Sequence, residues 1–489
     1  MSFNFSVPDV SGSQDDSRLV FDLLLGIGIL VCAIMICIAA RGDLWLDEIW
    51  SIFFAESAKS PWDIISLYQH DNNHVLNTLY LYVIGKQDHL VLYRLLSVVA
   101  GVGSLFLLTR MARKYGYLES LVVLLLAGFS YPLILYFSEA RGYALAIFFA
   151  LLSLFLLDKC LTNYSPIKLS FFWLSACMGI LSHLSFVLIF LSLSIFVIHK
   201  EVLSRSSLES KLQIVFKYLL IPFFFLIAFY MVHARGMTIG GGDANDPFKE
   251  ISKGVAYLVG LRDGFFLWRL VASGLFIMIT LAGSYLYYRD KNKLWSFVIA
   301  CLLLPPLIII LIIRPTVYYF RYLVVTYPFF YLLLSYILGK LYRRGHKYSY
   351  VALILICLYL MGQMQQLWPL FKYGRGNYQA ILTEVSNKSS GNVLRIGSDH
   401  DFRNKMLLSF YQRFIPPYQS LHYIDQQSWN IDPPEWIILH KADRSFKLEP
   451  FISTSDQQTY KLTKVERSVR ESGFSWFLYH TTKPKRSSG

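Results

Sequence analysis

The chain has 489 residues, 55% hydrophobic and only 16% charged, with a mean hydropathy of +0.44. A soluble domain carries about a quarter charged residues, so this composition excludes an ordinary soluble enzyme and points to a polytopic helical membrane protein. The formal net charge is +14, but much of that excess lies in short loops between apolar runs, where the positive-inside rule accounts for it without a nucleic-acid partner.

The first apolar run, Leu19 to Ala40, lacks a basic leader and a small-residue cleavage site, and reads as a retained membrane helix. Behind it comes RGDLWLDEIWSIFFAES, with Asp43, Asp47 and Glu48 set among tryptophans and phenylalanines. PWDIISLYQ and HVLNTLYLYVIG follow, each too short or too polar to span, and each predicts a helix lying in the interface. Further spans read at 90–109, 117–137, 142–157, 168–182, 184–199, 213–232, 264–288, 294–313, 320–339 and 349–366, about eleven in all. The loop GGGDANDP at 240–247 is glycine-rich and reads as mobile. In the polar tail the runs NVLRIGS, EWIILH and FSWFLYH, separated by polar and proline-containing stretches, predict a small α/β domain. The expected division is a membrane module over 1–366, with a first loop at 41–89, and a C-terminal domain over 367–489. The six cysteines avoid the tail and have no zinc-site spacing.

Alternate loops separate into two sets. The loops 110–116, 158–168, 200–212, 289–293 and 340–348 are dense in Lys and Arg, and the others are sparse. The basic set is expected to face the cytoplasm. The N-terminus is then inside, and the first loop and the tail lie outside. ATP is not available on that face, so a biosynthetic reaction there needs a pre-activated substrate.

Ionisable groups at membrane depth are costly and usually face a cavity or a partner. Five places on the outer side hold them: Asp47 with Glu48, Asp71 with His74, Glu139 with Arg141, His183, and Arg314 with Arg321. Each has a bland alternative. Glu139 and Arg141 can pair with each other, His183 can be a satisfied turn histidine, the arginines can snorkel to headgroups, and Asp47–Glu48 can be a solvated loop. Their shared face of the membrane favours a common site.

Taken in order, DE after the first helix, D-x-x-H, S-E-A-R-x-Y-A-L, a later histidine and R-Y-L-x-x-x-x-P resemble the motifs of the GT-C membrane glycosyltransferases, over roughly residues 20 to 335. The likeness is to bacterial members related to protein O-mannosyltransferases and aminoarabinose transferases. The resemblance implies an α-helical GT-C fold and an inverting transfer of a hexosyl or pentosyl unit. The donor would be a polyprenyl-phosphate sugar, and the acceptor a glycan, lipid or protein on the outer face of the cytoplasmic membrane. It implies Asp47 as catalytic acid or base with Glu48 beside it, and Asp71, His74, Glu139 and His183 around the substrates. Arg141 and Arg321 would face the donor phosphate, with Arg235 and Arg314 in reserve. A divalent cation, Mg or Mn, held by Asp47, Glu48 or His74, is left open. The chain lacks the family's two prolines beside His74 and has Ser138 where glutamine is usual, so the acceptor is not transferred. A lipid or glycan flippase and a non-catalytic assembly subunit are the competing readings.

Overall fold

The computed structural model describes residues 11–240, 244–262, 264–389, 391–441, 449–454 and 458–482, the side chains of 11–17 and 470 excepted. Residues 241–243 of the glycine-rich loop lie outside the described residues. Among the described residues nineteen α-helices and six strands follow one another. They are α1 (Ser11–Ala39), α2 (Leu46–Ser57), α3 (Pro61–Ser66), α4 (Val75–Ile84), α5 (Val91–Ala112), α6 (Tyr117–Gly128), α7 (Tyr131–Phe137), α8 (Tyr143–Thr162), α9 (Pro166–Ser182), α10 (Phe186–Val197), α11 (Leu208–Val232), α12 (Pro247–Leu258), α13 (Phe266–Arg289), α14 (Leu294–Leu302), α15 (Leu304–Ile308), α16 (Tyr327–Tyr342) and α17 (His346–Tyr373); then α18 (Tyr378–Lys388), β1 (Val393–Ser398), α19 (Asp401–Tyr411), β2 (Ser420–Tyr423), β3 (Trp436–Lys441), β4 (Phe451–Ser453), β5 (Thr459–Glu466) and β6 (Ser475–Thr481).

Among the described residues eight helices are long and apolar enough to cross a membrane, or nine if α6 and α7 form one span bent by 69°. The bend has a local cause. Pro132 follows the cap at Ser130, whose hydroxyl accepts the Leu133 N–H, and Tyr331 donates to the same hydroxyl at 2.8 Å. α9 and α10 are shorter than a full crossing, and α3 and α4 form from the two amphipathic stretches after α2.

The loop between α1 and α2 is shaped by one buried arginine. Arg94, early in α5, donates through Nε and Nη2 to the two carboxylate oxygens of Glu48 at 2.7 and 2.6 Å. Its remaining N–H groups reach the carbonyls of Ala40, Gly42 and Asp43 at 2.8, 3.0 and 2.8 Å. Both side chains are fully buried. Glu48 Oε2 also accepts the Trp45 N–H at 3.1 Å, so the same carboxylate stabilises the first turn of α2.

The C-terminal sheet runs β2-β1-β3-β6-β5-β4, parallel across β2-β1-β3 and antiparallel beyond. The three apolar runs of the tail form β1, β3 and β6. Its core is not closed on itself. Ile381, Leu382, Leu407, Trp436 and Trp476 pack in one cluster with Leu44, Ile49, Ile52 and Leu81 from the first loop, α2 and α4. Two polar contacts reinforce that seam: Gln379 N–H donates to Asp43 Oδ2 at 2.7 Å, and the Tyr411 hydroxyl donates to the Leu44 carbonyl at 2.8 Å.

Removing one partner of a buried ion pair leaves the other charge uncompensated, at about 3–5 kcal/mol. Arg94→Met and Glu48→Leu should each destabilise the detergent-solubilised protein by that amount in thermal unfolding, and the double variant should cost less than the two single losses summed. Strict additivity would show that the pair does not hold the loop. Asp43 supplies a pH signature. Burial pushes its carboxyl up to about 6, against the pull of the Gln379 N–H and Arg94. A folded-state pKa above the unfolded value means stability is present at low pH and lost as pH rises through about 4 to 6. The difference in melting temperature between wild type and Asp43→Asn should therefore shift against wild type across that window; a flat difference would remove Asp43 from the seam.

Candidate active site

A cavity of about 680 Å³ opens between the membrane helices and the C-terminal unit. Asp47, in the first turn of α2, stands in its wall, 15% exposed, and both neighbouring cations converge on one of its oxygens. Arg141 Nη1 lies 2.7 Å and Arg321 Nη1 3.2 Å from Oδ2. Among the described residues Oδ1 has no protein partner. The indole of Trp45 lies beneath both guanidiniums, at 5.7 and 5.9 Å. Asn72 completes the clamp: its Nδ2 donates to the Asp47 carbonyl at 2.8 Å, and its Oδ1 accepts from Arg141 Nη2 at 2.7 Å.

Arg141 is held by the tight turn between α7 and α8, whose backbone is pinned at each step. The Ala140 N–H donates to Glu48 Oε1 at 2.7 Å, and the Ala140 carbonyl accepts from Asn77 at 2.9 Å. The Arg141 carbonyl accepts from Ser97 at 3.2 Å, and the Gly142 N–H donates to His74 Nδ1 at 2.8 Å. Glycine is required at 142 because a Cβ would sit 1.9 Å from the Ser182 carbonyl oxygen. Burial, reinforced by the positive field of Arg141, drives the His74 imidazole well below its ordinary range, consistent with its acceptor role toward Gly142.

The opposite wall carries a second ionic group. Lys253 on α12 lies 2.7 Å from Glu471 and 3.6 Å from Glu250, and Tyr257 donates to Glu471 at 2.8 Å. Glu471 belongs to the segment between β5 and β6, so this pair ties the C-terminal unit to a membrane-module helix. Several buried polar atoms at or beside the cavity have no partner: Nε of Arg141, Arg321 and Arg403, Nε1 of Trp45, and the hydroxyls of Tyr136 and Tyr143. These can all donate a hydrogen bond; the one buried carboxylate oxygen without a hydrogen-bond partner among the cavity-lining residues described is Glu250 Oε2.

Of the residues singled out in the sequence, Asp47, Asp71, Arg141 and Arg321 line the cavity. Asp71 Oδ1 accepts the Gly240 N–H at 2.9 Å. Glu48 lies behind the wall on Arg94. Glu139 and Arg141 do not pair with each other: Glu139 turns inward to Arg375 at 3.4 Å, and Arg375 also bridges to the Ala39 and Leu135 carbonyls and the Ser138 hydroxyl. The rings of His74 and His183 lie 4.6 Å apart, tilted by 56°, and flank Tyr143 behind the arginines. Arg235 and Arg314 are exposed and away from the cavity. Sequence reading missed Asn72, Lys253, Glu471, Arg403, Arg94 and Arg375. Arg94 alone carried a legible signal, as an arginine inside an apolar run.

The cation candidates do not make a ligand set. Glu48 gives both oxygens to Arg94 and Asp47 Oδ2 is shared by two guanidiniums, while Asp47 Oδ1 and the His74 Nε2, whose Nδ1 accepts from Gly142, are without partners among the described residues. Among the described residues no three His, Cys, Asp or Glu side chains converge as metal ligands.

No protein-family model and no curated protein sequence matches the chain. Solved structures do. ArnT from Cupriavidus metallidurans in the apo state superposes with a TM-score of 0.55 at 11% identity, over 94% of this chain and 98% of that one. The same enzyme bound to undecaprenyl phosphate gives 0.50 at 10% identity, over 93% and 97%. An Archaeoglobus fulgidus oligosaccharyltransferase, in complex with Zn and sulfate, overlaps more loosely: TM-score 0.44 and 14% identity, over 80% of this chain and 58% of that one. The likeness to ArnT takes in the helices and the C-terminal unit together, and the chain thus has the fold of the GT-C membrane glycosyltransferases.

Proposed function

We propose that the chain is an inverting glycosyltransferase that moves a sugar from a polyprenyl-phosphate donor to an acceptor on the outer face of the membrane. The observation that carries this reading is the clamp of Arg141 and Arg321 on Asp47, beside which the Nε groups of both arginines, Trp45 Nε1 and the Tyr136 and Tyr143 hydroxyls are buried without partners. Buried donors are normally satisfied, and a phosphate supplies the acceptor oxygens these lack. Arginine suits the task through its planar, bidentate geometry.

In this reading the acceptor hydroxyl attacks the anomeric carbon as the carbon–oxygen bond to phosphate breaks. The hydroxyl proton passes to Asp47, and the bonding electrons leave on the phosphate, whose growing charge Arg141 and Arg321 stabilise. No second carboxylic acid is required, since a phosphate leaves without protonation. Glu48, His74, Glu139 and His183 act as positioning residues, fixing α2 and the α7–α8 turn. An apolar groove of about 290 Å³, lined by residues such as Val255 and Phe276 on α12 and α13, Leu302 and Leu323, supports a prenyl tail. It lies beside the segments that carry Lys253 and Arg321. The basic loops close the far ends of α5, α8, α13 and α16, which supports an outward-facing cavity. The ArnT structure with undecaprenyl phosphate supports a donor of this chemical class.

The test is transfer by the purified full-length protein from a panel of polyprenyl-phosphate sugars to membrane-derived acceptors, with and without chelator. Asp47→Asn should lower kcat by about 10²–10⁴, the usual worth of a general base. Arg321→Gln should lower transfer and raise the KM for donor, with partial recovery in Arg321→Lys, and chelator should leave the rate unchanged. Wild-type activity in Asp47→Asn, or no consumption of any donor, would sink the assignment in favour of a flippase or scaffold.

A further inference from the structure

Four Arg and Lys side chains line the cavity, and they are not equivalent. Arg141 and Arg321 hold Asp47, and Lys253 holds Glu471. Arg403, in the first turn of α19, faces the same space from the C-terminal unit, and no carboxylate pairs with it among the described residues. Its guanidinium carbon lies over the ring of Phe474, 3.8 Å from the centroid. Its Nε is buried and without a partner. The acids nearest it in sequence are engaged elsewhere: Asp401 accepts the Tyr423 hydroxyl at 2.8 Å and the Gln426 N–H at 3.2 Å, and Asp399 accepts the His440 backbone N–H at 2.9 Å and lies 3.0 Å from His440 Nδ1.

The backbone around Arg403 favours an anion as well. α19 is an eleven-residue helix, and His400 caps it by accepting the Arg403 N–H at Nδ1, 3.3 Å away. Its positive end faces the cavity. The spot also lies beyond the carboxyl ends of the parallel strands β1 and β3, where open α/β sheets take their ligands. Trp50 and Phe402, edge to face at 5.4 Å, line the same side of the cavity and offer an apolar surface beside the charge.

We propose that Arg403 anchors an anionic group, a phosphate or a carboxylate, on the second substrate. The membrane helices then hold the donor while the C-terminal unit reads the acceptor. This rests on the transferase reading, and it makes the acceptor a charged glycan or glycolipid rather than a neutral one.

The experiment uses the full-length protein in nanodiscs, preloaded with saturating undecaprenyl phosphate so that Arg141 and Arg321 are occupied. Methyl phosphate, methyl glucuronide and neutral methyl glucoside are titrated separately and read by isothermal titration calorimetry. At least one anion should bind and the glucoside should not; which anion binds tells phosphate from carboxylate. Arg403→Gln should weaken that binding at least tenfold, Arg403→Lys should restore part of it, and undecaprenyl phosphate affinity should stay within twofold in both. An unchanged affinity in Arg403→Gln, no anion binding to wild type, or a matching loss of undecaprenyl phosphate affinity would overturn the proposal. If wild type does not bind undecaprenyl phosphate, the transferase reading fails by itself, and the same titrations on the unloaded protein still decide Arg403.

Discussion

The cavity side of the molecule depends on a single guanidinium. Arg94 gives two N–H groups to Glu48 and three to the carbonyls of Ala40, Gly42 and Asp43 just after α1, so the chain must turn where those carbonyls converge. A buried pair of this kind costs several kcal/mol per ion in lost hydration, and here full occupation of the donor fork and carboxylate offsets that cost. Glu48 in turn holds the Trp45 and Ala140 N–H groups, linking the first turn of α2 to the turn that carries Arg141. Asp47 and Arg141 meet at 2.7 Å because the residues beside them are fixed to one anchor.

That arrangement explains why the acidic dipeptide divides its labour. In a helical first turn, adjacent side chains point about 100° apart. One carboxylate can face the protein interior and the other the cavity, and the two are not interchangeable. The Glu139–Ala140–Arg141 turn divides in the same way, with Glu139 turned inward to Arg375 and Arg141 outward to Asp47.

Much of the fold, and several of the residues that line the candidate site, were legible in the sequence. Apolar runs mark most helices, and Asp47, Arg141 and Arg321 stand out because a charge beside a long apolar run is costly. What stayed hidden has a common cause. Lys253, Glu471 and Arg403 lie in ordinary polar stretches, where a charged residue is expected and carries no signal. Only tertiary contact brings them to the cavity. Arg94 was visible as an oddity, but its partner lies 46 residues away. The strands β2 and β4 escaped because they are only four and three residues long, and β5 because most of its residues are polar.

The convergence of two arginines on one aspartate oxygen has a further consequence. Asp47 is itself an anion seated where an anionic ligand would sit, so the resting cavity is already filled electrostatically. A phosphate arriving there competes with a tethered carboxylate whose effective concentration is high and fixed by the fold. Affinity for the first ligand is therefore lowered by that internal rival. Once displaced, the carboxylate stays within a side chain's length of the newcomer, free of both cations. In the proposed transferase, occupancy by one ligand and exposure of the carboxylate to a second would be the same event, which would impose an order on binding without any moving lid.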